Sequence, residues 1–150
     1  MRKVLAVSLG TLFAAAFVGL AHANPSTHET LTAVAGDASG EVSVATTGKN
    51  EGTNLFEGEV TVNIHGAVPG EVFTISRNPD FHPDGICTGT GFAPFAPALT
   101  TSAGGAGAAH YVVQRGLPNF PEGVQFDVSF RAVGSEGTVL RSECFTVTGK

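Results

Sequence analysis

Residues 123–133 read GVQFDVSFRAV, and the strict alternation across them decides the fold class. Val124, Phe126, Val128 and Phe130 share one face, and Gln125, Asp127, Ser129 and Arg131 share the other. That is the period of a strand with one face in a core and one toward solvent. Residues 137–149, GTVLRSECFTVTG, follow across Gly134-Ser135-Glu136-Gly137, a turn-forming tetrad, so the two stretches are expected to pair as a hairpin.

The same period recurs upstream. In 58–68, GEVTVNIHGAV, the residues Val60, Val62 and Ile64 face one way and Glu59, Thr61, Asn63 and His65 the other. Residues 71–77, EVFTISR, place Phe73 and Ile75 on one side, and Pro69-Gly70 before them predicts a turn that makes this stretch the return arm of a hairpin. Further strands are expected at 41–47 and 107–115, with 48–54 and 99–106 as Gly/Thr/Ser-rich connections. No window beyond residue 23 has helical periodicity. With 20 glycines and 8 prolines punctuating short strands, the expected fold is all-β, an antiparallel Greek-key sandwich or barrel of about six to eight strands.

Residues 1–23 have the parts of a secretory signal: Arg2 and Lys3, an apolar run from Val4 to Leu20, and Ala21-His22-Ala23 before the expected cut. The chain is therefore expected to be periplasmic or secreted. Residues 24–39 are small and polar and are expected as a flexible N-terminal arm, leaving 40–150 as a single β-sandwich domain. No later apolar stretch is long enough to span a membrane as a helix. The formal net charge is −5, and residues 24–150 hold 6 basic against 13 acidic side chains, a balance that argues against a nucleic-acid binder.

Two cysteines, Cys87 and Cys144, are expected to pair in an oxidising compartment. Free or metal-bound thiols are the alternative, and no CxxC or paired Cys/His spacing favours it. A metal site would have to gather His65, His82 and His110, with Asp80 and Asp84 beside His82, yet no two of these histidines have the i, i+2 spacing that shares a strand face. There is no GxSxG elbow and no means of choosing a carboxylate pair. No catalytic, cofactor or metal residue is therefore assigned. Phe92 and Phe95 in TGTGFAPFAPALT (88–100) are read either as a lid on the core or as an exposed platform for sugars or peptides.

Residues 66–76, GAVPGEVFTIS, and 85–94, GICTGTGFAP, resemble the stretch of copper/zinc superoxide dismutases that runs from a Gly-x-x-Pro-Gly turn through a His-x-His strand to a Cys-x-x-x-Gly loop. RSEC (141–144) is similar to that family's Arg-x-x-Cys. The resemblance covers most of 36–148 and implies a Greek-key β-barrel with Cys87 bonded to Cys144 and Arg141 at the place of a substrate-guiding arginine. The family's metal ligands do not carry over: the His-x-His strand is replaced by Val72 to Arg77, the bridging histidine by Ala93, and no histidine lies between Phe92 and Ala109. A secreted immunoglobulin-like sandwich has the same turn and disulfide signals. The expected function is an exported, non-catalytic protein with a binding or structural role, its ligand or protein partner unknown. The alternatives are a copper/zinc-binding relative of the dismutases and a carbohydrate- or protein-binding module.

Overall fold

The computed structural model describes residues 26–50, 55–89, 91–116 and 123–149, so the leader-like segment 1–23 and residues 51–54 lie outside the described residues. The chain runs through β1 (Ser26–Ala35), β2 (Ser39–Asn50), β3 (Leu55–His65), β4 (Val72–Asp80), the short β5 (Ala93–Pro94) and β6 (Leu99–Thr100), β7 (Gly107–Gly116), β8 (Gln125–Gly134), β9 (Val139–Arg141) and β10 (Phe145–Thr148). All pairings are antiparallel and no helix occurs among the described residues. The strand order β5-β4-β8-β9-β1-β2-β3-β7, with β6 on β4 and β10 on β8, curls into a half-barrel.

β1 makes the curl. Ser26 to Leu31 pair with β2, while Thr32 to Ala35 pair with β9 across a bulge between Ala33 and Ala35, so one strand belongs to both halves of the sheet. A bulge bends and twists a strand locally, which is how a sheet turns a corner without breaking. Residues 26–35 of the expected flexible arm are thus a strand: His28 and Thr30 alternate with Leu31, which is 1 % exposed, and the strand's backbone is paired with β2 along its first part and with β9 along its second.

The alternation seen in the sequence faces the core as expected. Val60, Val62 and Ile64 of β3, Phe126, Val128 and Phe130 of β8, and Phe73 and Ile75 of β4 are all buried, joined by Leu31, Leu99, Leu140, Phe145 and Val147. Each such side chain contributes roughly 1.5–3 kcal/mol by leaving water.

A further expectation needs correction. β4 is not the return arm of a β3 hairpin; it pairs with β8, β5 and β6, while β3 lies between β2 and β7. The Gly66–Gly70 turn is a crossover between the two halves, because the apolar faces of β3 and β4 must meet across the core instead of side by side. This order also differs from the immunoglobulin constant type, in which the third strand leaves the sheet of the second. The β8 hairpin does form, with β9 and β10 both on β8 and a break at Ser142 to Cys144. Ser142 bridges the break: its N–H donates to the Phe130 carbonyl (3.0 Å), and its Oγ accepts from the Phe130 N–H (2.8 Å).

The turn between β8 and β9 depends on Glu71, which is 1 % exposed at the foot of β4. Its carboxylate accepts from Val68 N–H, Glu136 N–H and the Thr138 hydroxyl, tying the crossover to the hairpin turn. A Cβ at Gly134 would sit 1.9 Å from Glu71 Oε1, so only glycine allows this approach.

Candidate functional site

The outer face of β4 and β8 is not open to solvent. β4 turns Ser76, Asn78 and Asp80 outward, and the register sets them opposite Arg131, Ser129 and Asp127. Ser76, Asn78, Asp80, Asp127 and Ser129 are all buried, because the Pro/Gly-rich loop after β4 folds back over them. Alternation alone places Asp127 and Ser129 in water; the loop overrides it.

Polar side chains pin that loop. Asp80 Oδ2 accepts from the Thr88 hydroxyl (2.7 Å) and the Thr88 N–H (3.0 Å), and Oδ1 from the His82 N–H (3.1 Å). The Thr88 hydroxyl, with the His82 and Thr88 amides, lowers the Asp80 carboxyl to a pKa of about 2. Asp127 accepts from the Gly85 N–H and the Thr146 hydroxyl, each at 2.6 Å. Asn78 Nδ2 donates to the Gly89 carbonyl. Cys87 is bonded to Cys144, as expected, and closes the loop onto the break between β9 and β10.

The candidate metal ligands do not converge. His82 is 91 % exposed at its side chain, with Nδ1 3.4 Å from Asp80 Oδ1. His65 is exposed at the end of β3, and His110 lies on β7 opposite Thr61, whose hydroxyl is 3.2 Å from His110 Nδ1. No group of three or more His, Cys, Asp or Glu among the described residues is placed to hold a metal. Asp80, whose Oδ1 lies 3.4 Å from His82 Nδ1, is occupied by loop donors, and Asp84 accepts from the Ile86 N–H.

A row of polar residues crosses four strands on the same outer face. Ser76 of β4 pairs with Arg131 of β8, Arg131 with Arg141 of β9, and Arg141 with Thr32 of β1. Both guanidiniums lie against Phe92, Arg131 at 4.5 Å and Arg141 at 5.5 Å from the ring centroid. Alongside Arg141 runs a groove of about 560 Å³ between the β1 segment Thr32 to Val34 and the loop segment Gly85 to Cys87, with Ser129, Ser142 and Cys144 also lining it.

Phe92 and Phe95 fit neither reading of the sequence cleanly. Both are half-buried. Phe95 stacks on Tyr111 (4.6 Å) inside the half-barrel and is covered by Arg77 at 4.4 Å. With arginines against the rings, neither is a bare platform for a sugar. The row itself was missed in the sequence, where Arg131 reads as one more solvent-facing residue. The available signal was Asp127-x-Ser129-x-Arg131 in the centre of the strongest strand, near in fold to a cysteine loop that has to lie over something.

Comparison with protein-family models, with curated proteins and with solved structures finds no match.

Proposed function

We propose that this chain is an exported, non-catalytic β protein that acts by binding in the envelope or extracellular space, through the groove beside the stapled loop. One observation carries the reading: on the strand where the dismutase resemblance implies paired histidines, the outward positions are Ser76 and Asn78, and the neighbour across from Ser76 is Arg131. An arginine is a fixed cation with no acceptor, so this face favours an anion over a metal ion. The disulfide supports an oxidising compartment.

A second reading, a copper/zinc-binding relative of the dismutases, is supported by the bond between the Cys87 loop and the Arg-x-x-Cys segment at 141–144. Metal analysis of protein expressed with copper and zinc supplements separates the two. Substoichiometric metal supports the binding module, and one equivalent retained through dialysis overturns it. Fractionation, with sequencing of an amino terminus at Asn24, tests export.

A further inference from the structure

We infer that Arg131 and Arg141 form an oxyanion site, taking a carboxylate, sulfate or phosphate group between their guanidiniums. Four observations lead there. The two arginines are direct partners across β8 and β9, where like charges oppose each other and cost stability unless something neutralises them. Among the described residues neither has a carboxylate partner, although the chain carries a net charge of −5. Arg131 Nε is fully enclosed and has no hydrogen-bond acceptor, the kind of orphan that native structures rarely leave. Phe92 lies against both heads and holds them in place, so little freedom is lost when they converge on a ligand.

An oxyanion between the heads supplies the missing counter-charge. It accepts from the terminal N–H groups of Arg131, whose Nε is itself enclosed, offers a second oxygen to Arg141, and cancels the repulsion between them through charge-assisted hydrogen bonds. The adjacent groove brings solvent to Arg141, and its wall contains the exposed Val34 and Ile86, so a small organic anion could lay an apolar portion there. Glu143, which also lines the groove, limits the net attraction and disfavours a highly charged polyanion. The inference deepens the binding reading above and rests on it.

The test is a titration of the mature protein, in oxyanion-free buffer of low ionic strength, with acetate, sulfate and inorganic phosphate in separate arms. The readout is the Nε–Hε resonances of Arg131 and Arg141 in ¹⁵N-correlated spectra, each variant being read at the arginine it retains. At least one anion is expected to shift these resonances saturably. Arg141→Gln should weaken the same anion about tenfold, Arg131→Lys should weaken it while preserving charge, and His82→Gln should leave it unchanged. Absence of a saturable shift at tens of millimolar anion in folded wild-type protein overturns the site, as does equal affinity in a folded Arg141→Gln variant. Both outcomes leave the metal analysis untouched, so the site and the binding reading fail separately.

Discussion

Asp80 and Asp127 face each other across β4 and β8, two buried carboxylates at directly opposed positions. Like charges in that arrangement repel. They persist because the loop brings its own donors: three hydrogen bonds reach Asp80, and Asp127 takes one from Gly85 and one from Thr146. The carboxylates therefore act as anchors for the loop that forms one wall of the groove. Asp127→Ala leaves the Gly85 amide and Thr146 hydroxyl without their charged acceptor and is expected to cost about 3 kcal/mol. Urea denaturation checks the loss. Asp127→Asn, which keeps one acceptor and removes the repulsion, should cost clearly less; equal losses would show that the charge itself, and not a remaining acceptor oxygen, holds the loop.

The Asp80 anchor has a pH signature. Its carboxyl is lowered to about 2 in the folded chain, chiefly by the Thr88 hydroxyl, against about 3.9 in an unfolded one. A depressed carboxyl contributes stability above the unfolded value and loses it as pH falls through the folded one, so the loop's hold should weaken between about pH 4 and pH 2. Thr88→Val removes the largest cause and should move the Asp80 titration upward, toward 3.8. Carboxyl carbon shifts followed by NMR read this directly, and an unmoved titration would remove Thr88 from the account.

Strands were legible in this sequence wherever one face is apolar, because period-two alternation is a local property that burial then enforces. β3, β4 and β8 fall where alternation put them, and β7 where a strand was expected. Partnership was less legible: Pro69-Gly70 marks a turn, but a turn signal does not say whether the chain returns beside its own strand or crosses the core. β1 was hidden by small, polar residues, since its stability comes from backbone pairing on two sides and from Leu31 alone among its buried apolar side chains. The site was the least legible part. Arg131 and Arg141 are ten residues apart in sequence, and only the β8–β9 register makes them neighbours.

The staple and the polar anchors are expected to hold the loop independently. Cys87 and Cys144 are separated by 57 residues, for which the chain-entropy account gives a stabilisation of about 4 kcal/mol. Cys87→Ser should lower the stability by several kcal/mol and leave one reactive thiol at Cys144, measured by denaturation and thiol labelling. Because Asp80 and Asp127 still grip Thr88 and Gly85, the native variant is expected to keep the loop in place. Loss of the Gly85 and Thr88 amide protection below the folding transition would show that the disulfide alone positions it.

Tyr111 offers the opposite case, a polar group whose removal should help. Its hydroxyl is enclosed without a hydrogen-bond partner, while its ring stacks on Phe95 at 4.6 Å, so the structure uses the ring and pays for the oxygen. Tyr111→Phe keeps the stacking and removes the unsatisfied group, and is expected to leave stability unchanged or raise it by about 1 kcal/mol. Burial also raises the pKa of this phenol above its ordinary value of 10.0. Below that value the neutral form is shared by folded and unfolded chains. As pH rises past it, ionisation in the unfolded chain pulls the equilibrium toward unfolding, and the Phe variant should lack this component of the alkaline loss. Thermal melts of both proteins from pH 8 to pH 11 read the difference: parallel curves would mean that folding does not raise this phenol's pKa, and a Phe variant less stable at neutral pH would mean that the hydroxyl has a partner after all.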